Sequence, residues 1–224
     1  MTLLPLSGIR VLDLGHLLPG PLTAVLLADL GAEVIKIEKP PRGDANRYIP
    51  PLQHGISPYF LMLNRNKKSI FLDLKQPKDH RKFLKLVQKS DVLIENFRPG
   101  VMKKLALDHE ALSKINPKLI YCSISGYGQK GPWKGHAGHD LNYVALSGLL
   151  YATAFRGERP VQFATQLGDI VGGSLMPALS ILAALLLREK TNQGCWIDSA
   201  MMPATMMLWI LVLGKILQTG QEAK

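Results

Sequence analysis

The chain has 224 residues, 47% of them hydrophobic, so it can bury the core of one large domain. Its net charge of +10 comes from basic residues scattered in small clusters. Nucleic-acid binders show instead one dense basic stripe interleaved with aromatic residues, so we expect no nucleic-acid partner. Basic clusters on separate loops favour one ligand with several phosphates, and a solvated surface is the alternative for any single cluster.

The two cysteines favour a reducing compartment. Cys122 and Cys195 each lie in an apolar run of strand character, so both are expected to be buried free thiols. Neither has a cysteine or histidine at metal-ligand spacing, so we expect no metal site. The N-terminus lacks the basic flank and the small-residue cleavage site of a signal peptide, which leads us to expect a cytoplasmic protein.

Strand-like and helix-like segments alternate through the first half of the chain. In chain order the sequence predicts a strand at 9–14, a helix at 20–32, strands at 33–38 and 68–74, a helix at 76–90, a strand at 91–96, a helix at 109–115 and a strand at 118–125. This alternation predicts an α/β fold, with a Rossmann-like parallel sheet and helices on both faces. The segment 40–64 is rich in proline, glycine and arginine and is predicted to be a long functional loop.

The pattern changes after residue 138. The sequence predicts a helix at 139–150, a loop at 151–168, a helix at 169–190, a strand at 194–200 and a methionine-rich apolar helix to the end. The longest apolar run, 175–187, contains Pro177 and is shorter than the roughly 20 residues that cross a bilayer. It is therefore expected to be a core helix, and no membrane span is expected.

One motif resembles a dinucleotide-binding fingerprint and is rejected. "GYGQKG" places Gly126, Gly128 and Gly131 in the G-x-G-x-x-G pattern after a predicted strand. A dinucleotide site needs a helix to begin there, because the helix N-terminus holds the pyrophosphate. "PWKGHAG" follows instead and cannot form a first helical turn. The glycines more readily shape a loop that lets a ligand approach the backbone.

Two short stretches hold candidate acid–base groups. In "GHDLNY", His139 is flanked by small residues at the start of a predicted helix, and histidine is the residue type that most often serves as a general base. Asp169 begins another predicted helix in "GDIVGG". Such a pair suits removal of a proton α to a carbonyl on one face and its return on the other. The alternatives are a solvated loop histidine and an aspartate that only caps its helix.

At these residues the chain resembles the family III CoA-transferases (CaiB/BaiF type). The matching segments follow one another along the chain: "GIRVLDL", "LADLGAEVIKIEKP", "NRNKKSIFLDLK", "DVLIENFRPGVMKKL", "LIYCSISGYGQKGPW", "AGHDLNYVALSG" and "GDIVGG". Among family members the α-methylacyl-CoA racemases are resembled most, on account of "AGHDLNY". Acyl-transferring members usually carry Tyr-Asp where this chain has His139–Asp140.

The resemblance implies a role for each matching position. His139 and Asp169 would be the two acid–base groups and Asp140 an orienting partner, whereas in a transferase Asp169 would be the nucleophile. Coenzyme A would enter as part of the substrate, and no cofactor would be bound permanently. The residues implied in CoA binding are Lys39, Arg65, Lys67, Lys68, Leu72, Leu74, Lys75, Arg98 and Lys104.

The resemblance covers only the N-terminal part of the family. It implies a CoA-binding α/β large domain at 1–200 and an apolar helix at 201–224 that leads towards a missing small domain. The family also implies an acyl-CoA thioester as ligand and an interlocked homodimer for the full-length protein. Three hypotheses follow: a 2-methylacyl-CoA racemase, an acyl-CoA:carboxylate CoA-transferase, and a truncated, non-catalytic fragment.

Overall fold

Six strands form one fully parallel sheet in a computed structural model that describes residues 3–155 and 157–221. The strands are β1 (Arg10–Asp13), β2 (Glu33–Glu38), β3 (Lys67–Phe71), β4 (Val92–Glu95), β5 (Ile120–Ser125) and β6 (Cys195–Ala200). Their order across the sheet is β3-β2-β1-β4-β5-β6, which confirms the predicted Rossmann-like α/β fold. The order reverses between β1 and β4, and this reversal creates a crevice at the carboxyl ends of the strands.

Nine α-helices and one π-helix connect and follow the strands in the part of the chain that the structure describes. They are α1 (Pro19–Asp29), α2 (Pro58–Asn64), α3 (Pro77–Val87), α4 (Val101–Lys104), α5 (His109–Ser113), α6 (Asp140–Leu146), the π-helix (Gly168–Leu175), α7 (Met176–Thr191), α8 (Met201–Thr205) and α9 (Ile210–Thr219). A 3₁₀ turn at Met206–Trp209 separates α8 from α9.

Successive strand residues are buried on opposite faces of the sheet. Val11 and Val92 pack beneath α1 and α7, whereas Leu12 and Leu93 pack beneath α3, α4 and α5. All four side chains are fully buried. Because both faces are covered at the centre of the sheet, β4 and β5 are buried throughout and could be recognised in the sequence as mainly apolar runs, whereas the edge strand β3 is mostly exposed.

The segment 40–64 is only partly the loop that was predicted. It contains α2, whose start is marked by Ser57 and Pro58: the Ser57 hydroxyl accepts the backbone N–H of Tyr59 at 3.2 Å, and Pro58 occupies the first turn. The short helix α4 was also not predicted. Both helices are too short for a clear helical periodicity, so the prediction missed them.

The helix predicted at 169–190 is one 24-residue helical segment, Gly168–Thr191, with a π-helical first part. It is long and apolar enough to cross a bilayer, unlike the 13-residue run considered alone. The expectation of a core helix is met on one face only: Ile181 is fully buried against the sheet, whereas Leu179 and Leu186 are exposed. Pro177 lies in the first turn of α7, where a proline is tolerated.

The helix predicted after residue 200 spans Met201–Thr219, and a 3₁₀ turn at Met206–Trp209 lies within it. Met201–Thr219 also meets the length and hydropathy criteria for a span, yet only 11% of it is buried. The last residues of that prediction, 222–224, lie outside the described part of the chain. Of the two cysteines, Cys122 is buried as predicted, whereas Cys195 is partly exposed.

Candidate active site

Two cavities open at the carboxyl ends of the strands, and Phe97 lines both of them. The larger has a volume of about 890 Å³ and the smaller about 270 Å³. Phe97 follows β4, beside the point where the strand order reverses. This is the position at which parallel α/β sheets bind their ligands.

The smaller cavity contains both predicted acid–base groups, His139 and Asp169. His139 directly precedes α6 in an extended conformation, and its backbone N–H donates to the Asn142 side chain at 2.9 Å. Asp169 is the second residue of the π-helix. Asp140 links the two segments, because its carboxylate accepts the backbone N–H of Asp169 at 3.0 Å. The structure thus brings together residues that lie about thirty positions apart in the sequence.

Burial raises the pKa of Asp169 to about 6, and the nearby Asp140 carboxylate adds to this effect while His139 opposes it. Burial also raises the pKa of Asp140, although backbone N–H groups of Asp169 and Gly168 partly offset it. A carboxyl group with a pKa near 6 is present in both protonation states close to neutral pH. Asp169 can therefore either accept or donate a proton there.

Tyr143 of α6 fills the space that two glycines of the loop between β5 and α6 leave open. A Cβ atom on Gly126 would lie 2.5 Å from the Tyr143 ring, and one on Gly138 would lie 2.7 Å from it. The Tyr143 hydroxyl donates to the Gly138 carbonyl at 2.6 Å. No helix begins between β5 and Asp140, which confirms that "GYGQKG" shapes a loop. His136, for which the sequence suggested no role, lines the smaller cavity.

The larger cavity has an apolar floor and a basic rim. Five residues of the predicted CoA-binding set line it: Lys39, Leu72, Leu74, Lys75 and Lys104. The three lysines are exposed, and none of them forms an ion pair within the described residues. An apolar floor suits a planar base, and free ammonium groups suit phosphates.

The other four predicted CoA-binding residues lie outside that cavity. Arg98 lines the smaller cavity. Arg65 forms an ion pair with Asp29, and Lys68 pairs with Glu33 at 2.6 Å. The side chains of Arg65, Lys67 and Lys68 are therefore occupied by contacts within the protein.

Lys67 is the most deeply buried of these cations, and its ammonium group is fully engaged by partners within the protein. Its side chain is only 1% exposed, and its ammonium group lies 2.7 Å from the Asp13 carboxylate and 2.8 Å from the Pro21 carbonyl. A lysine in this position stabilises buried charge beneath the crevice. It does not reach either cavity.

Sequence reasoning missed His16 and Phe97, which line the larger cavity with their rings in edge-to-face contact, 4.7 Å between centroids. Asn96 holds this turn, because its side chain accepts the His16 N–H at 2.7 Å and donates to the His16 carbonyl at 2.9 Å. His16 follows β1 and Phe97 follows β4, the two strands at which the order reverses. Their positions directly after apolar strands were the available signal.

Curated proteins of two activities are similar to this chain. An acetyl-CoA:oxalate CoA-transferase from Acetobacter aceti is 45% identical over 90% of this chain and 52% of its own length. The α-methylacyl-CoA racemase of Homo sapiens is 44% identical over 91% of this chain and 50% of its own. A succinyl-CoA:glutarate CoA-transferase from Mus musculus is 41% identical over 98% and 50%. The chain spans about half the length of these relatives.

A solved structure supports the same relationship. A CaiB/BaiF family protein from Brucella suis superposes with a TM-score of 0.93 at 35% identity, covering 99% of this chain and 59% of that one. The model of CoA-transferase family III matches residues 6–224. The chain therefore belongs to CoA-transferase family III.

Proposed function

We propose that the chain carries the catalytic half of an enzyme that moves the α-proton of an acyl-CoA thioester between its two faces, as in 2-methylacyl-CoA epimerisation. The observation that supports this most is the shared cavity of His139 and Asp169. Two groups that can each hold a proton, located at the starts of different helices, suit one deprotonation and one reprotonation. The tyrosine usual in acyl-transferring members is absent here, since histidine stands at position 139.

In the proposed reaction His139 accepts the α-proton as the electron pair of the C–H bond moves towards the thioester oxygen. Protonated Asp169 then delivers a proton to the opposite face of the planar enolate, and the carbonyl re-forms. The reverse epimerisation exchanges the two roles. The raised pKa of Asp169, about 6, supplies the protonated form near neutral pH. Asp140 keeps Asp169 in place through its backbone hydrogen bond.

Coenzyme A is proposed to occupy the larger cavity. Its adenine would lie on the apolar floor around Leu72 and Leu74, with its phosphates near Lys39, Lys75 and Lys104. The pantetheine arm would then pass Phe97, which lines both cavities, to bring the thioester into the smaller one. Arg98 lies in that smaller cavity, so it would contact the thioester end of the ligand.

Hydrogen exchange tests the proposal. The full-length protein incubated with a 2-methylacyl-CoA in deuterated water should place deuterium at the α-carbon. His139→Gln and Asp169→Asn should reduce this incorporation by at least about 100-fold, the usual size of an acid–base contribution. His136→Gln is the matched control, because His136 lines the same cavity but has no assigned step. CoA binding without any exchange in the unaltered protein would contradict the proposal.

A second candidate is an acyl-CoA:carboxylate CoA-transferase, favoured by the names of the oxalate and glutarate enzymes among the relatives. Here the Asp169 carboxylate would attack the thioester carbonyl and release CoA thiolate, leaving a mixed anhydride. Hydroxylamine added with an acyl-CoA donor would convert Asp169 to a hydroxamate, which mass spectrometry detects on its peptide. An unmarked Asp169 together with α-deuteration would favour the racemase.

The assembly is also a proposal. We infer that the full-length protein forms an interlocked homodimer in the cytoplasm, a setting that fits its two free cysteines. The third hypothesis, a non-catalytic fragment that binds CoA or a full-length partner, is tested on the isolated chain. Size-exclusion chromatography and a CoA titration should show binding without turnover if that hypothesis holds. A monomer with full turnover would exclude it.

A further inference from the structure

Asp169 lies in the first turn of a π-helix, an element that is rare and often marks functional sites. At the end of this element the Met176 N–H donates to the Val171 carbonyl, five residues back. The inner wall of the π-helix consists of glycines. A Cβ atom on Gly172 would lie 2.5 Å from the Met201 carbonyl oxygen, and one on Gly173 would lie 2.6 Å from Pro19. The backbone of the π-helix therefore packs directly against two neighbouring segments.

Pro177 leaves a carbonyl of this element without its usual donor. A proline has no N–H, so Gly173, four residues earlier, cannot receive the α-helical hydrogen bond. The Thr23 hydroxyl of α1 lies 3.2 Å from the Gly173 carbonyl oxygen and 2.9 Å from that of Pro19. Thr23 is fully buried, so these contacts are shielded from bulk solvent. The single hydroxyl proton of Thr23 can thus be shared between the Pro19 and Gly173 carbonyls, which ties α1 to the π-helix beside Pro177.

A second hydroxyl, that of Ser174, contacts the backbone of Asp169 itself. Ser174 Oγ lies 2.9 Å from the backbone carbonyl oxygen of Asp169 and 3.1 Å from that of Pro19. Ser174 is also fully buried. Thr23 and Ser174, here called the hydroxyl clamp, together join the first turn of α1 to both ends of the π-helix.

We infer that the hydroxyl clamp positions Asp169 by holding the wide π-helical turn open. If the turn became α-helical, its hydrogen bonds would span four residues instead of five. The residues on its N-terminal side would then rotate by about 100° around the helix axis. Asp169 would then leave the cavity that it shares with His139 and separate from Asp140. The inference deepens the proposed function and rests on it for the role of Asp169, but the placement of Asp169 can be measured independently of turnover.

The first measurement needs no activity. In protein labelled with ¹³C at the aspartate carboxyl groups, the Asp169 resonance is assigned by Asp169→Asn and titrated with pH. The unaltered protein should give a pKa of about 6. Ser174→Ala and Thr23→Val should both lower this pKa towards its ordinary value, because Asp169 leaves the buried site beside Asp140. Thr23→Ser keeps the hydroxyl and should restore the value.

Ser90→Ala is the matched control, since Ser90 is also buried and donates to a helix carbonyl, that of Leu86 at 2.8 Å, far from the site. It should leave the Asp169 titration unchanged. A comparable fall of the Asp169 pKa in Ser174→Ala, Thr23→Val and the control Ser90→Ala would show a general loss of structure and overturn the inference. An Asp169 pKa unchanged in both Ser174→Ala and Thr23→Val would overturn it as well.

The second measurement is turnover. If the proposed function holds, Ser174→Ala should lower kcat for α-proton exchange about tenfold or more and leave KM for the acyl-CoA unchanged, because the larger cavity is untouched. A rise in KM with an unchanged kcat would contradict the positioning role. Absence of exchange in the unaltered protein would contradict the proposed function. The titration would still decide whether the hydroxyl clamp holds Asp169 in place.

Discussion

Glu95 closes β4 with its carboxyl group buried, and it supports the turn on which Phe97 is carried. Its carboxylate accepts the Phe97 N–H at 2.9 Å, and only 3% of the residue is exposed. Burial raises the pKa of Glu95 to about 7, and the Asp198 carboxylate adds to the rise, while hydrogen bonds from Ser123 and Phe97 oppose it. The folded state therefore prefers the protonated form, whereas the unfolded chain ionises near pH 4.5.

This raised pKa predicts a pH-dependent loss of stability. Below about pH 4.5 both states hold the proton and Glu95 has no effect, and between 4.5 and about 7 the unfolded state gains stability from ionisation. The full effect above pH 7 is about 3 kcal/mol. Glu95→Gln cannot ionise and escapes this loss. The difference in free energy of unfolding, variant minus unaltered protein, should therefore rise by about 3 kcal/mol between pH 4.5 and pH 8.

Urea unfolding at the two pH values measures this difference. Glu110→Gln, at an exposed glutamate on α5, controls for the substitution itself. A Glu95→Gln effect of equal size at both pH values would contradict the prediction.

Two adjacent lysines should differ strongly in their contribution to stability. Lys67→Met leaves the buried Asp13 carboxylate without its closest partner, and breaking such a pair costs about 3–5 kcal/mol. Lys68 has a side chain that is 72% exposed, so Lys68→Met should change the free energy of unfolding by less than about 1 kcal/mol. Urea denaturation of both variants tests this contrast, and similar losses would contradict it.

At the scale of elements, the placement of α6 depends on glycines in the loop before it. Gly138→Ala would put a methyl group 2.7 Å from the Tyr143 ring, so Tyr143 and the start of α6 must move. Gly135→Ala meets no atom within 4 Å and is the matched control in the same loop. We expect Gly138→Ala to lower α-proton exchange at least about tenfold through displacement of His139, with little effect from Gly135→Ala. Equal rates in the two variants would contradict this expectation.

The elements differ in how far the sequence could predict them. β1, β4 and β5 are short, mainly apolar runs that are almost entirely buried, so they were found within about two residues. The helix α2 and the break between α8 and α9 were missed because capping and tertiary contacts, rather than periodicity, decide them. The ion pair of Lys67 with Asp13 joins residues 54 positions apart. No local sequence pattern distinguishes such a buried, paired lysine from a free one. Likewise, the resemblance to a family, rather than the spacing of the residues, linked His139 with Asp169.

At the scale of the whole molecule, α9 leaves a large apolar surface uncovered in the isolated chain. Leu211 is 87% exposed and Leu217 is 77% exposed. Surfaces of this kind associate in water. The isolated chain should therefore form concentration-dependent oligomers in analytical ultracentrifugation, and Leu211→Lys with Leu217→Lys should reduce them without loss of the fold. Thermal unfolding checks the fold, and oligomers that persist in the double variant would place the contact elsewhere.

The packing of the π-helix on Met201 also has a consequence for biosynthesis. β6 completes the sheet by pairing with β5, from Ile120 opposite Cys195 onward, and Met201 follows directly after it. Asp169 leaves the ribosome before the segment on which Gly172 and Gly173 pack. The Asp169 carboxyl group is therefore synthesised before the segment against which the π-helix packs. Vectorial synthesis thus delays the packing of the π-helix until β6 and Met201 have emerged.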